Sequence, residues 1–281
     1  MKVIFKFSAM SVMASAMLVA SHVAYAQSET PEGVDKIKVK PMAKDHPLTE
    51  IISGWHFRKP ETKTLQQDDF DNPGYLWVDR GEDLWSEVDG DAGKSCQSCH
   101  DDAADTMAKA GPAYPKWNAD LKKPVNLEQR INLCRTDQMK AKAWKWESNE
   151  LLSMTTYVRN QSRGTPVMVK TDGDLKPWFE KGKSLYYTRV GQLDMSCANC
   201  HEDYYGKQIR ADMLSQGQSN GFPTYRLKWQ KIGSLHRRFR GCMKNIRAKP
   251  YKNGSDEYVA LELYLAYRGQ GLPVETPAVR Q

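Results

Sequence analysis

The chain has 281 residues, of which 40 % are hydrophobic, so it is long enough for one or two domains with packed cores. Its formal net charge is +7, and setting aside an N-terminal leader with two lysines and no acid leaves about +5. A charge this modest argues against nucleic acid as the main partner. Beyond the leader no segment is apolar enough to cross a bilayer, so the sequence predicts no membrane span in the mature protein.

The first 26 residues have the pattern of a secretory signal peptide. Two lysines form the charged start, residues 7–20 form an uncharged apolar run, and a small-x-small cleavage site ends at Ala26. A membrane anchor is the alternative, but the run is short for spanning a bilayer. We therefore expect an exported, periplasmic protein whose mature chain begins near Gln27.

The attachment sequence of c-type haem, Cys-x-x-Cys-His, occurs twice. The two copies are Cys96, Cys99 and His100, and Cys197, Cys200 and His201. Two thiols about one helical turn apart can add to the two vinyl groups on one porphyrin edge, and the adjacent histidine then reaches the iron. Disulfides or zinc half-sites are the alternative, but zinc prefers four closed ligands and neither copy has a second ligand pair nearby. The sequence therefore predicts two covalently attached c-type haems.

From Arg80 onward the chain repeats itself. The two haem motifs are 101 residues apart, and Asn149–Tyr157 matches Asp256–Tyr264 at a distance of 107 residues. Two copies of one small helical unit are the simplest explanation. We predict a mainly α fold with two tandem cytochrome c-like helical domains and an irregular N-terminal extension. The predicted segments are a signal peptide at 1–26, the extension at 27–78, a first haem domain at 79–172 and a second at 173–281.

Each unit is predicted to contain one helix before its haem motif, with Gly81 or Gly182 near the start, and another helix at its end. The final helices carry apolar stripes of helical spacing with a serine before them. The stripes and their caps are Leu151, Met154, Thr155 and Val158 with Ser148, and Tyr258, Leu261 and Leu265 with Ser255. We interpret the stripes as core that excludes water from a haem.

The polar, proline-punctuated residues 27–78 lack a long periodic segment, so we expect them to wrap a domain or a partner. His46 and His56 lie in this extension. Either could be a distal haem ligand, although a surface or capping role is the expectation for each.

Two cysteines, Cys134 and Cys242, remain outside the haem motifs, and they occupy equivalent places in the two repeats. A haem iron held by histidine on one side needs a sixth ligand or an open face, and no methionine occupies an equivalent place in both copies. A disulfide between the two is the ordinary alternative in an exported protein. Equivalent positions in two domains favour two separate irons, because each cysteine would face its own haem.

Cys242 lies in a basic run, His236–Arg247, that contains no acid. Local positive charge lowers the pKa of a thiol, and arginine presents a planar donor fork that suits an oxyanion such as a sulfonate. Cys134 has basic neighbours too, but Glu128 and Asp137 are close to it in sequence. An anion-binding catalytic thiol at Cys242 and a solvated or docking surface remain alternatives at this point.

Several motifs together resemble the SoxA family, the dihaem subunits of SoxAX cytochrome complexes. They are the two haem motifs, a ligand-like cysteine after each, the Arg-Phe-Arg-Gly-Cys run at 238–242, and Gly182–Tyr187 leading to Ser196–His201. The resemblance covers nearly all of the mature chain and is strongest after Trp178. It implies an L-cysteine S-thiosulfotransferase that works with a SoxX-type cytochrome and loads thiosulfate onto a cysteine of a SoxYZ-type carrier, passing electrons to a c-type acceptor.

The resemblance also implies the roles of individual residues. The implied iron ligands are His100 and Cys134 for the first haem and His201 and Cys242 for the second. Cys242 would also be the catalytic sulfur, which the family carries as a persulfide, and Arg238 would bind substrate. Arg240, Lys244 or Arg247 would add positive charge.

Three other functions are compatible with the sequence. A plain dihaem electron carrier would use the basic run for docking and would be indifferent to the loss of Arg238. A thiosulfate dehydrogenase would release tetrathionate. A scaffold or redox sensor would bind its partner through residues 27–78.

Overall fold

The computed structural model describes residues 30–281, so the predicted signal peptide lies outside the described residues. The α-helices are α1 (Pro60–Gln67), α2 (Tyr75–Ser86), α3 (Gln97–His100), α4 (Ala103–Thr106), α5 (Leu127–Asp137), α6 (Asn149–Asn160), α7 (Lys176–Tyr187), α8 (Leu235–Asn245) and α9 (Asp256–Arg268). The strands are β1 (Lys38–Val39), β2 (Ile51–Ile52), β3 (Lys116–Asn118), β4 (Lys123–Val125), β5 (Gln208–Ile209), β6 (Asp212–Met213), β7 (Thr224–Arg226), β8 (Lys231–Gly233) and β9 (Ala278–Arg280). Within this part of the chain, no helix combines the length and apolarity needed to traverse a bilayer.

The strands form small sheets at the edges of the helical units. Three antiparallel pairs join β1 to β2, β3 to β4, and β5 to β6. The largest sheet has the order β8-β7-β9, in which β7 is antiparallel to β8 and parallel to β9. This sheet brings the last described strand beside the segment that precedes α8.

The two repeats are built on the same helix crossing. Helix α2 packs on α6, and α7 packs on α9. A Cβ atom at Gly81 would lie 2.4 Å from Cβ of Tyr157, and one at Gly182 would lie 2.0 Å from the carbonyl oxygen of Ala260. Both glycines lie in the middle of their helices, so the prediction that they lie near the helix starts is wrong. They occur where the crossing helices leave no room for a side chain.

The predicted final helices and their caps are confirmed. Ser148 accepts a hydrogen bond from the Leu151 amide at the start of α6, and Ser255 accepts one from the Tyr258 amide at the start of α9. These serine caps satisfy amide groups that have no partner within the helix. The predicted stripes are buried, and each helix contributes to the core of its own repeat.

Equivalent segments of the two repeats also pair with each other. The Val167 amide donates to the Leu272 carbonyl at 2.8 Å, and the Val274 amide donates to the Thr165 carbonyl at 2.9 Å. When one repeat is mapped onto the other, each of these hydrogen bonds takes the place of the other. The domains are therefore related by an approximate two-fold axis at this contact.

The N-terminal extension packs against the second half of the chain. The side chain of Asn72 donates to the Pro277 carbonyl at 2.8 Å, and Gln66 accepts from the Val279 amide at 3.0 Å. His46 has one ring nitrogen 3.2 Å from the Arg268 carbonyl and the other 3.2 Å from the Leu48 carbonyl. It therefore ties the extension to the end of α9, which agrees with the surface or capping role expected for this histidine.

Candidate active site at Cys242

The second haem motif is held in shape by a local hydrogen-bond pair. The side chain of Asn199 accepts from the Ser196 amide at 3.0 Å, and the Asn199 amide donates to the Ser196 hydroxyl at 3.4 Å. Ser95 and Ser98 make the same exchange in the first motif. The residue between the two cysteines thus closes the turn on which the thiols and the histidine are presented.

The ring of His201 is fixed from two sides. Its Nδ1 lies 2.7 Å from the carbonyl oxygen of Ser215, so Nδ1 carries the proton and donates, while Nε2 is left to act as a ligand. Gly217 has φ +75° and lies so close that an added Cβ atom would meet His201 Cγ at 2.8 Å. A side chain at this position would displace the imidazole.

One cavity of about 270 Å³ collects the predicted residues of the second site. Its walls include both motif thiols, the imidazole, the extra cysteine and one arginine of the basic run: Cys197, Cys200, His201, Cys242 and Arg238. Apolar side chains such as Leu185, Phe239 and Leu261 complete the walls. Two thiols, an imidazole with a free Nε2 and an apolar cavity fit a covalently held haem, whose iron His201 would bind.

Cys242 is presented on α8, where the Ser234 hydroxyl caps the helix by accepting from the Arg237 amide. Burial raises the pKa of the Cys242 thiol, but the positive charge of Arg238 and the interaction with His201 outweigh burial, and the pKa falls to about 7. A large share of this sulfur is therefore thiolate at neutral pH. Thiolate is the form that binds iron and attacks sulfur electrophiles.

The first repeat builds a related site with different electrostatics. Cys134 lies on α5, close enough to Cys99 for their charges to interact, and the His100 ring lies 5.9 Å from that of Trp85. Burial raises the pKa of Cys134, Arg130 lowers it, and Asp137 raises it again. Burial is the largest of these effects, and Asp137 opposes Arg130, so the pKa of Cys134 stays raised whereas that of Cys242 is lowered. All six cysteines lie among the described residues and are unpaired, so the alternative of a Cys134–Cys242 disulfide is wrong in this structure.

Three further arginines line the Cys242 cavity, and sequence reasoning missed them. Arg58 comes from the extension, Arg226 ends β7, and Arg280 ends β9. None has a recognisable motif, because they are brought together only by the packing of the extension and the β8-β7-β9 sheet.

Most of the basic run points elsewhere. Arg240, Lys244 and Arg247 are not among the described residues that line the cavity. Arg240 instead donates to the Tyr251 carbonyl at 2.7 Å. His236 is buried and stacks on Trp146 with ring centroids 5.0 Å apart. Among the described residues, Arg238 is the one basic side chain of this run that lines the cavity.

Known proteins resemble this chain over most of its length. It is 56 % identical over 237 residues to the L-cysteine S-thiosulfotransferase subunit SoxA of Pseudaminobacter salicylatoxidans, which covers 84 % of this chain and 83 % of that protein. The protein of the same name from Paracoccus pantotrophus is 49 % identical over 230 residues, covering 82 % and 79 %. The family model SoxA/TsdA, cytochrome c domain, matches residues 80–167 and 181–274. The chain belongs to the SoxA family.

The structure of this SoxA-family chain agrees with a solved one. The crystal structure of SoxXA from P. pantotrophus has a TM-score of 0.83 and 47 % sequence identity, covering 87 % of this chain and 93 % of that chain. The predicted fold of two cytochrome c-like helical domains with an N-terminal extension is confirmed. Membership of a cytochrome c family means that the SoxA-family chain carries covalently bound c-type haem.

Proposed function

We propose that this SoxA-family chain is the catalytic subunit of a periplasmic L-cysteine S-thiosulfotransferase, exported by its signal peptide. It couples thiosulfate oxidatively to a cysteine of a SoxYZ-type carrier protein. One observation carries the proposal: Cys242 and Arg238 line the same cavity as the haem motif Cys197–His201. An ionisable thiol, an anion-binding side chain and a haem-attachment site therefore meet in one place.

The chain would hold two haems. Cys96 and Cys99 would attach the first, with His100 and Cys134 as iron ligands, and the second repeat would do the same with Cys197, Cys200, His201 and Cys242. When bound, the haems supply one-electron acceptors, so a pair of electrons leaves stepwise through a SoxX-type cytochrome to a c-type acceptor. The positions of the ligand cysteines on equivalent helices support this assignment.

The residues of the cavity account for the chemistry. Arg238 binds the sulfonate oxygens of thiosulfate through its donor fork, which orients the outer sulfur toward Cys242. The outer sulfur bonds to the Cys242 sulfur, or to a persulfide sulfur on it, as two electrons leave. The carrier cysteine gives up its proton, and its thiolate attacks the thiosulfate sulfur bound to Cys242. That exchange forms the carrier–thiosulfate bond and returns the Cys242 sulfur as an anion.

Loading of thiosulfate onto the carrier cysteine tests the proposal, with the holo chain assembled with its SoxX-type cytochrome. We expect Cys242→Ser to abolish loading and Arg238→Gln to raise the KM for thiosulfate by roughly tenfold or more, because a charged hydrogen-bond donor is lost. Lys244→Gln is the control, since this exposed side chain lies on the same helix and does not line the cavity.

The outcomes separate the alternatives. Normal loading by both site variants, with covalent haem retained, would show that the chain is an electron carrier with a basic docking surface. Accumulation of free tetrathionate without carrier loading would show that it is a thiosulfate dehydrogenase.

A further inference from the structure

Arg226 lies in the Cys242 cavity although it is outside the basic run. It is the last residue of β7, its side chain is only 6 % exposed, and it lines the cavity together with Arg238. Cys242 lines the same cavity, so Arg226, Arg238 and the sulfur face one shared space.

The guanidinium group of Arg226 is held in one position. Its Nε donates to the main-chain oxygen of Gln281 at 2.6 Å, and an Nη atom lies 3.5 Å from the carboxylate of Asp212. Its Cζ lies 5.1 Å from the ring centroid of Trp229. A donor fork that is fixed before a ligand arrives loses little conformational entropy on binding.

Arg226 shares its carboxylate partner with another arginine. Asp212 also pairs with Arg58, so one carboxylate serves two guanidinium groups. Arg238 forms no ion pair with a residue in 30–281. Arg238 is half-buried, whereas Arg226 is buried and shares its carboxylate partner, so an anion that enters the cavity is attracted to both guanidinium groups. The cavity therefore favours a ligand with more than one negative charge.

We propose that Arg226 is a second substrate-binding residue that, together with Arg238, holds the oxyanion end of a thiosulfate-like dianion beside Cys242. Asp212 is the positioning residue that orients Arg226. This inference rests on the proposed function and adds a residue to it. Two guanidinium groups bind a three-oxygen sulfonate more specifically than one, because each fork engages different oxygens.

Arg226 has a matched control in Arg237. The guanidinium of Arg237 lies 4.3 Å from the same Trp229 ring, so both variants lose a cation–π contact with one tryptophan. Arg237 does not line the cavity among the described residues and pairs with Glu147 instead. A difference between Arg226→Gln and Arg237→Gln therefore reports on the cavity rather than on the packing of Trp229.

Two measurements on the holo complex test the inference: the KM for thiosulfate in carrier loading, and the dissociation constant of sulfate, an unreactive oxyanion, by calorimetry. We expect Arg226→Gln to raise both by roughly ten- to a hundredfold, the loss of one charge-assisted hydrogen-bonding group. Arg226→Lys should recover part of the loss, because it restores the charge without the fork. Arg237→Gln should match the wild type in both.

Failure of this inference is distinguishable from failure of the proposed function. A wild-type complex that does not load the carrier contradicts the function, and sulfate affinity still reports on Arg226. Wild-type KM and sulfate affinity in Arg226→Gln, with covalent haem retained, would overturn the role of Arg226 alone. If the variants lose haem, crystals of the wild-type complex with sulfate decide. An oxyanion bound to both arginines supports the inference, and an oxyanion on Arg238 alone, or a haem propionate on Arg226, overturns it.

Discussion

Gly182 and the carbonyl group of Ala260 touch where α7 crosses α9, so a Cβ atom at Gly182 would lie 2.0 Å from that oxygen. Gly81 makes the same close approach to α6 in the first repeat, where the added atom would lie 2.5 Å from the Ser153 oxygen. Each domain thus depends on one glycine to bring its two main helices together.

We predict that Gly182→Ala lowers the free energy of unfolding by about 3 kcal/mol, because the clash is with backbone and cannot be relieved by a side-chain rotation. Gly241→Ala is the control, since Gly241 lies in α8 and its added Cβ would meet no atom within 4 Å. That variant should be stabilised by about 0.5–1 kcal/mol, because alanine favours the helix. Thermal unfolding of the holo protein, followed by circular dichroism, measures both. Equal stability of the two variants would contradict the prediction.

Gly217→Ala is predicted to disturb the ligation of the second haem. The new Cβ would meet His201 Cγ at 2.8 Å, so the ring must move and its hydrogen bond to Ser215 must lengthen. Gly206→Ala is a matched control, since Gly206 has a similar φ of +79° but nothing within 4 Å. Both variants incur the backbone strain of about 1–2 kcal/mol, but only Gly217→Ala should change the electron paramagnetic resonance spectrum of the haem.

Arg268 is predicted to stabilise the haem motif through a buried ion pair. It is fully buried, pairs with Glu202 at 2.5 Å, and its Cζ lies 4.5 Å from the Tyr186 ring centroid. Arg268→Gln should cost about 3 kcal/mol, since it removes the ionic partner of the Glu202 carboxylate and leaves it the hydrogen bond from Tyr187. Arg189→Gln breaks the exposed pair with Asp194 and should cost at most about 1 kcal/mol. Guanidinium unfolding of the two variants compares them, and similar costs would refute the prediction.

Glu128 is predicted to make stability depend on pH. Burial raises its pKa above the ordinary value of 4.5, the charge of Glu262 raises it further, and Arg159 opposes them. The folded state therefore binds a proton that the unfolded state releases. As pH rises from about 4.5 to the raised pKa, the free energy of unfolding therefore falls by up to about 1.4 kcal/mol per pH unit.

The test compares the free energy of unfolding of Glu128→Gln with that of the wild type at each pH. The advantage of the variant should grow as pH rises, whereas Glu82→Gln, which changes an exposed carboxylate on α2, should show a constant difference. Denaturant unfolding at pH 5 to 8 measures it. A difference for Glu128→Gln that does not change over this range would disprove the assignment.

Short sequence patterns were enough to predict the haem motifs and the final helix of each repeat. The Cys-x-x-Cys-His spacing, the serine caps at Ser148 and Ser255, and the apolar stripes of α6 and α9 each depend on residues within about one or two helical turns. The repeat, read by comparing the two halves of the chain, gave Cys134 and Cys242 equivalent places, and the structure shows that both lie on helices. The domain boundaries and the roles of the site residues stay predictions, since they depend on bound haem and on activity.

The sequence by itself determined that the chain is a repeated c-type cytochrome with one extra cysteine in each copy, because covalent attachment requires adjacent residues in a fixed order. Only the tertiary structure decided which charges face Cys242. Arg58 and Arg226 reach the cavity from separate segments, while Lys244, only two residues from the sulfur, does not line it. Charge acts through space, and the distance between two side chains is set by packing rather than by their separation in the sequence.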